Sequence, residues 1–568
     1  MNFKTLIIED AEDVAIAIER QLRLMRKFKF QVDHSRNVAQ ALDRISAACN
    51  TPYDLILCDY NLGECTNGQQ LLEFLRSEQR ISHQTIFIMV TGDASYDVVA
   101  SAVELAPDAY LLKPFTYDVL AKRICYAIAK REVLKEAHVS IDSKKPDLEA
   151  AVKTCNAIIL SAERFGLDAL KLKAECLITL GRWGEAANVY DKIIAWRPTS
   201  WAEVGRARTL RQAGYPQIAE RNLLLTIDRF PTFVAAYDEL GALAEERGDN
   251  RRAQEFMESA HSIVPSNRRT RNLGLMALQN GDLEKAAFLL KIVTERDRYG
   301  LKRSTEDFFM LSTALRCLNR HEEAMAVLDT LKEFFPETRP LQVRKMAAEA
   351  RILVAAKHPY DAKKRVCDAL KLRHGQMEPR TQLELGEACY ESDEREMAQK
   401  LFLHVAENWQ EYPKVCDLVR KAIHRVGLGV EELAMIEQST DDLMRINQQT
   451  VKKINEGRFD EAVGDIENLA KRLLNNATVQ ANFVHALLSW LEQEAPQNFM
   501  KLPQHSKPGK NLMLAREHLH QLSGIKPRHV HLDFLERMFA KLTGEFHSNR
   551  ISQIYQETEE AVSMESGH

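Results

Sequence analysis

The 568-residue sequence is poor in the residues that make turns. Glycine occurs 23 times and proline 17 times, about 4% and 3% of the chain against typical usage of about 7% and 5%. A chain this long with so few of either cannot be a many-stranded sandwich or barrel, so β-structure is confined to a limited region and the rest is helical. An excess of one charge is also lacking. Lys and Arg number 77 and Asp and Glu 81, for a net charge of −4, which excludes the basic footprint of a dedicated nucleic-acid binder. No run approaches the ~18 apolar residues that a membrane span needs. Met1 to Asp10 carries acids where a secretory signal would carry a basic region and a long apolar core, so the expectation is a cytoplasmic protein without membrane association. The ten cysteines form no CxxC pair, which argues for reduced thiols over a disulfide framework or a zinc site. His518, His520, His529 and His531 stand two residues apart in pairs, a spacing that points side chains in different directions on a helix and disfavours a metal site.

What is present divides the chain near residue 140. Up to about residue 138, short apolar runs alternate with helical patterns. The runs are Lys4 to Ile8, Phe30 to His34, Asp54 to Cys58, Ile86 to Val90 and Ala109 to Leu112. Helical stretches follow at Ala11 to Met25, Val38 to Ala48 and from Tyr117 to about His138. Near-continuous apolar strands separated by helices predict a five-stranded parallel sheet covered on both faces, a flavodoxin-like α/β fold. Ligands of such sheets bind beyond the carboxyl ends of the strands. There the sequence places Glu9 and Asp10, Asp59, Thr91 and Lys113. Three carboxylates at one edge repel strongly unless a cation is present. An all-oxygen set selects a hard ion such as Mg2+, and a metal beside a lysine suits phosphoryl transfer to a carboxylate.

These residues, in this order and spacing, resemble the receiver domain of two-component response regulators, over about a quarter of the chain. The resemblance implies that Asp59 accepts a phosphoryl group from a histidine kinase or phosphotransfer protein, with Mg2+ held by Glu9, Asp10, Asp59 and the backbone carbonyl of Asn61. It implies that Thr91 and Lys113 contact the phosphoryl oxygens, that Lys113-Pro114 is a cis peptide, and that Thr91 draws Tyr110 inward as a switch. It further implies that the protein is no enzyme beyond catalysing its own phosphoryl transfer and autodephosphorylation. One departure concerns the loop after Asp59. Gly63 stands where the family usually has proline and Gly68 comes one residue late, which implies a longer loop and bears on phosphoryl lifetime.

From about Asp147 the grammar changes. Gly181, Gly214, Gly248 and Gly281 are 33, 34 and 33 residues apart. Small residues recur seven positions earlier (Ala174, Ala207, Gly241, Gly274) and alanines five positions later (Ala186, Ala219, Ala253, Ala286), with prolines at 198, 231 and 265. This is the period of tetratricopeptide (TPR) repeats, helix–turn–helix units that stack into an all-α superhelical solenoid. Ala324 with Pro336, Ala350 with Ala362, Gly386 with Ala398, the turn at Gly457 and Ala515 with Pro527 continue the pattern after an insertion at Thr294 to Ser304. The expected organisation is a receiver over 1–138, a linker over 139–146, nine to eleven helical hairpins over 147–545 and a tail over 546–568, with a loop over Glu494 to Lys510. On the concave face, Lys171, Arg208, Arg211, Arg268 and Arg271 form a modestly basic stripe, a candidate surface for an acidic peptide or protein face; a solvated charged face is the plainer reading.

The architecture resembles that of receiver–TPR regulators, which act by protein contact. It implies a phosphorylation-controlled protein whose scaffold binds or releases a partner such as a sensor kinase or another regulator. Two other readings stand beside it: a DNA-binding regulator with a helical output, disfavoured by the near-neutral charge, and a receiver that drains phosphoryl groups from a kinase. Homodimerisation, through the sheet domain or the repeats, stays open.

Overall fold

A computed structural model describes residues 2–48, 51–62, 67–92, 107–143, 146–161, 164–296, 303–372, 377–428, 430–494, 505–525 and 529–543. Gly63, the inner part of the Thr294–Ser304 insertion, Pro527 and the tail over 546–568 lie outside the described residues.

The central apolar runs form strands because they can bury both faces, and Leu55–Asp59 and Ile86–Thr91 are buried at every residue. β1 (Asn2–Ile8), β2 (Lys29–Ser35), β3 (Leu55–Asp59), β4 (Ile86–Thr91) and β5 (Ala109–Leu112) make one parallel sheet in the order β2-β1-β3-β4-β5. Successive side chains point to opposite faces, so the inner strands β1, β3 and β4 feed two cores, whereas the edge strand β2 packs Phe30 and Val32 on one of them. Ile7, Leu57, Ile88 and Val90 pack against Ile18 and Leu22 of α1 (Glu12–Leu24) and against Leu120 and Ile124 of the long helix Tyr117–Asp142. Ile8, Ile56, Cys58 and Met89 pack on the other side against Ile45 of α2 (Val38–Ala47) and Leu71, Leu72 and Leu75 of α3 (Gly68–Ser77). Asparagine caps set where two of these helices begin. Asn37 accepts from the Gln40 amide, and Asn67 and Gln70 form a reciprocal capping box, satisfying amides that would otherwise lack partners.

The long helix runs past the expected end at His138, to Asp142, so the first residues of the expected 139–146 linker are helical. The cause is burial on two sides. Its first half belongs to the sheet domain's core, whereas Leu134 and Ala137 are fully enclosed by Ala151, Val152 and Cys155 of the next helix, Leu148–Ser161. One rigid rod thus serves both cores, and the sheet domain and first hairpins share the compact unit Met1–Arg320; a second unit comprises His321–His568.

Asp142 near the end of this helix accepts from the Ser82 hydroxyl at 2.7 Å and the His83 amide at 3.0 Å. Burial, then the neighbouring His83, push the His138 pKa down to about 4; the Arg76 charge acts in the same direction, and Asp108 and Asp142 oppose it. The unfolded chain therefore takes up a proton that the folded chain refuses. The associated stability is complete above about pH 6.5 and is lost as pH falls toward 4. Asp142, whose own pKa is lowered although burial opposes it, because the His83 and Ser82 hydrogen bonds hold its charge, acts with the same sign at lower pH. His138→Gln is expected to flatten the fall of the melting temperature between pH 7 and 5, removing about 2 kcal/mol of pH-dependent stability over that window. Equal slopes for the two proteins in thermal melts would refute this.

The repeat pattern is a packing pattern. Ala174, Ala186, Ala207, Ala219, Ala253, Ala286, Ala324, Ala350, Ala362, Ala398, Ala462 and Ala515 are all fully buried. The small residues of first helices sit where the second helix comes close. A Cβ on Gly274 would lie 3.1 Å from Leu290, and one on Gly386 would lie 2.8 Å from the Phe402 ring. The turn glycines adopt the left-handed conformation, with φ of 72°, 87°, 77° and 79° at Gly181, Gly214, Gly248 and Gly281. The same turn continues where glycine is absent, at Asn319, Lys357 and Asp393, and returns to glycine at Gly427 and Gly457. The result is a TPR-like helical repeat arrangement.

One expectation is corrected in the second unit. The loop predicted over Glu494 to Lys510 ends early, because a helix runs over Lys507–Gly524. Pro508 and Gly509 occupy its first turn, where proline loses no hydrogen bond, and the Ser506 hydroxyl caps it by accepting from the Gly509 amide at 3.2 Å. Among the histidines, His518 is buried with Nδ1 2.6 Å from Gln480 Oε1. No helix among the described residues is long and apolar enough to cross a membrane.

Candidate functional site

The strand order reverses between β1 and β3, and the crevice at their carboxyl ends is where open α/β sheets bind ligands. Ile8 pairs with Cys58, so the residues that follow, Glu9 and Asp59, emerge side by side. Glu9, Asp10 and Asp59 each offer a carboxylate oxygen within 4.8 Å of the others. Glu9 and Asp59 are 3% and 7% exposed, whereas Asp10 is open to solvent. Asp59 pairs with Val90, which brings the buried Thr91 to the same edge. The Lys113 amide donates to the Thr91 carbonyl at 2.7 Å, which places the lysine at the same edge; the Lys113-Pro114 peptide is cis. Its Nζ lies 2.7 Å from Glu9 Oε2 and 3.2 Å from Asp59 Oδ1.

Burial raises the pKa of Glu9, with the Asp59 charge adding to it and the Lys113 hydrogen bond opposing it. Burial likewise raises Asp59 against the pull of Lys113. Burial works against the Lys113 ammonium too, but the Glu9 hydrogen bond and the Asp59 charge outweigh it, and its pKa is raised. Three carboxylates and one ammonium leave an excess of negative charge facing an opening. Oxygen donors within a few ångströms, partly desolvated and under-compensated, fit a hard divalent cation such as Mg2+.

Tyr110 lies on β5 opposite Met89. Its ring packs on the apolar cluster that contains Cys58 and Met89, which Tyr60 also joins, and burial pushes its phenol pKa up. Asn61 is exposed, two residues beyond Asp59. Gly68 has a role that spacing alone did not reveal. Its amide donates to the Tyr60 carbonyl at 2.8 Å, and a Cβ there would lie 2.3 Å from the Asp59 carbonyl oxygen. Only a glycine lets α3 begin this close to the strand end.

The repeat candidates are scattered across ion pairs. Arg208 Nε bonds Glu239 at 2.6 Å, Arg211 reaches Glu239 and Glu246 at 3.2 Å, and Arg268 reaches Asp238 at 3.1 Å. Arg271 makes a two-pronged bond to the buried Asp307, each arm 2.7 Å. Lys171 lies over the Trp201 ring at 5.7 Å. Lys171, Arg208 and Arg268 border one cavity of about 960 Å³, whereas Arg211 and Arg271 do not border it. Two sheet-domain residues, Tyr110 and Glu73, also border it.

Residues 5–125 match the family model of the response regulator receiver domain. The chain is 30% identical to the chemotaxis protein CheY of Pseudomonas aeruginosa over 124 residues, 21% of this chain and 92% of that one. The chain belongs to the response regulator receiver family. It is also 27% identical to the chemotaxis protein CheY1 of Helicobacter pylori, over 21% of this chain and 93% of that one. Beyond the receiver, a tetratricopeptide repeat protein from Parabacteroides merdae aligns with 47% of this chain and 99% of its own at 13% identity, with a TM-score of 0.30. Pseudomonas aeruginosa pilF aligns with 39% and 95% at 16% identity and a TM-score of 0.29.

Proposed function

We propose that this is a phosphorylation-controlled response regulator in which a phosphoacceptor domain over 1–138 governs a protein-binding scaffold over 147–545. The observation that carries this reading is the trio Glu9, Asp10 and Asp59 with Lys113 bridging two of its members. Asp59 is the acceptor. Its carboxylate oxygen attacks the phosphorus of a donor, a histidine kinase or phosphotransfer protein, as the donor's P–N bond breaks, and an acyl phosphate forms. Glu9, Asp10, Asp59 and the Asn61 carbonyl would hold Mg2+, which when bound neutralises charge on the transferring oxygens. Lys113 supplies a fixed positive charge beside the acceptor, and its contacts with Glu9 and Asp59 orient it before the donor arrives. Thr91 lines the same edge and offers its hydroxyl to a phosphoryl oxygen. Tyr110, sharing an apolar layer with the chain neighbours of Asp59, is positioned to report the change.

The test uses a small-molecule phosphoryl donor, such as labelled acetyl phosphate, with Mg2+. The wild type should take up an acid-stable, base-labile label. Asp59→Asn, or wild type with the metal chelated, should take up none. Labelling that survives Asp59→Asn, or a wild type that stays unlabelled with Mg2+ present, would refute the reading.

A further inference from the structure

The cavity of about 960 Å³ joins the receiver to the repeats. Most of its wall comes from four successive first helices, Gly166–Thr179, Ser200–Gln212, Val234–Glu246 and Asn267–Gln279. Neighbouring packed helices lie about 8–10 Å apart, so the three intervals between these four helices span about 24–30 Å, the reach of roughly seven to nine extended residues. That is the length of a peptide segment. Tyr110, Tyr190, Trp201 and Phe233 give it apolar anchoring surface.

Its charge selects the kind of segment. Glu73, Asp168, Glu175, Asp238, Glu239 and Glu245 face Lys171, Arg208, Arg268 and Arg269, six acids against four bases. The arginines are committed: Arg208 to Glu239, and Arg268 and Arg269 both to Asp238. Glu175 and Glu245 are exposed, and among the described residues neither makes an ion pair. On the acidic side Asp168 pairs with Lys130 at 3.9 Å and Glu239 also with Arg211 at 3.2 Å, so the balance rests on the two exposed glutamates against Lys171, a net negative charge that complements a cationic ligand.

The same cavity touches the phosphoacceptor region by two short paths. Tyr110 borders the cavity and packs on the apolar cluster that contains Cys58 and Met89, a cluster that Tyr60 also joins, so it shares one packed layer with both chain neighbours of Asp59. Glu73 borders it from α3, whose first residue is hydrogen-bonded to the Tyr60 carbonyl. Any shift of the β3 terminus on phosphorylation of Asp59 would therefore reach groups that line the cavity.

We propose that this cavity binds a cationic, amphipathic peptide segment of a partner protein, and that Tyr110, as part of its wall, makes occupancy depend on the state of Asp59. The second half rests on the phosphoacceptor reading above; the first does not.

The test uses the full chain as bait for a library of 12-residue peptides with a fixed central tryptophan and randomised flanks. Recovered peptides should be enriched in Lys and Arg. Enrichment in Asp and Glu, or no enrichment, would overturn the cationic occupant. The most enriched peptide, labelled, then serves as the probe. The double variant Glu175→Gln, Glu245→Gln should weaken it by about tenfold, and Tyr110→Ala by about five- to tenfold, with Tyr110→Leu taking its place if the alanine variant fails to fold. Unchanged affinity in either the double variant or the Tyr110 variant places the peptide elsewhere and overturns the site. Acetyl phosphate with Mg2+ should shift the wild-type affinity at least threefold. No shift with Asp59 demonstrably labelled overturns the coupling and leaves the phosphoacceptor reading intact. An unlabelled Asp59 overturns that reading and with it the coupling, while the Tyr110 comparison still decides the site.

Discussion

Gly68→Ala is expected to lower the stability of the receiver-containing unit by about 3 kcal/mol and to suppress labelling of Asp59. The added Cβ would stand 2.3 Å from the Asp59 carbonyl oxygen, 2.9 Å from Met89 Sδ and 3.0 Å from Cys58 Sγ. A side-chain tip can swing away from such a contact. The carbonyl cannot, because β3 is hydrogen-bonded on both sides, to β1 and to β4. The start of α3 must retreat instead, breaking the Gly68-to-Tyr60 bond and loosening the Asn67–Gln70 capping box. Retreat displaces the chain around the acceptor, so chemistry suffers along with stability. Differential scanning calorimetry of the full chain checks the first consequence, with a shift of roughly 6 °C for the transition of this unit. Acetyl phosphate labelling checks the second. A variant that melts and labels like wild type would show that α3 can begin elsewhere at no cost.

Glu387→Ala is expected to destabilise the second unit by about 3 kcal/mol. Glu387 lies on the helix Pro379–Glu391 and is only 1% exposed. It accepts from Arg351 Nη1 and from Arg425 Nε, the latter at 3.0 Å. Arg351 is itself largely enclosed and bonds Glu391 at 2.7 Å. Burial works against its charge, but Glu387 and then Glu391 outweigh burial and raise its pKa. Removing Glu387 leaves a buried guanidinium that cannot deprotonate with half of its compensation gone. Arg425→Ala is the control: its side chain is 54% exposed, and its loss leaves the buried Glu387 still paired with Arg351, so the cost is expected to be the smaller of the two. Unequal shifts of the calorimetric transition of this unit, large for Glu387→Ala and small for Arg425→Ala, are the expected outcome. Equal shifts would mean that burial is not what makes the network matter.

What was legible in advance differs between the sheet edge and the repeats. Strands such as Leu55–Asp59 read directly as apolar runs, because a parallel strand buries both faces and needs no alternation. Glu9, Asp10, Asp59, Thr91 and Lys113 were legible as a set because topology alone brings strand ends together. Gly68 was visible only as a departure from a family spacing, since what demands a glycine there is the Asp59 carbonyl, nine residues earlier in the chain. The repeats were readable where glycine marks the left-handed turn. Asn319, Lys357 and Asp393 hold the same turn without that mark. Asparagine and aspartate tolerate the conformation, and at Lys357 the packing of the two flanking helices imposes it at a modest local cost.

The basic stripe shows the limit most plainly. Along the sequence, Arg208, Arg268 and Arg271 look like charges awaiting a ligand. Their partners Glu239, Asp238 and Asp307 lie about 30 or more residues away and become neighbours only when successive first helices stack. The sequence by itself determined the strands, the period of the hairpins and the chemistry at the sheet edge, because each follows from local burial pattern or from the order of elements. Tertiary structure alone decided which charges are already paired, that the helix Tyr117–Asp142 serves two cores, and that Tyr110 faces a cavity built by the repeats. Those outcomes depend on contacts between residues tens of positions apart, and no local pattern encodes the geometry that brings them together.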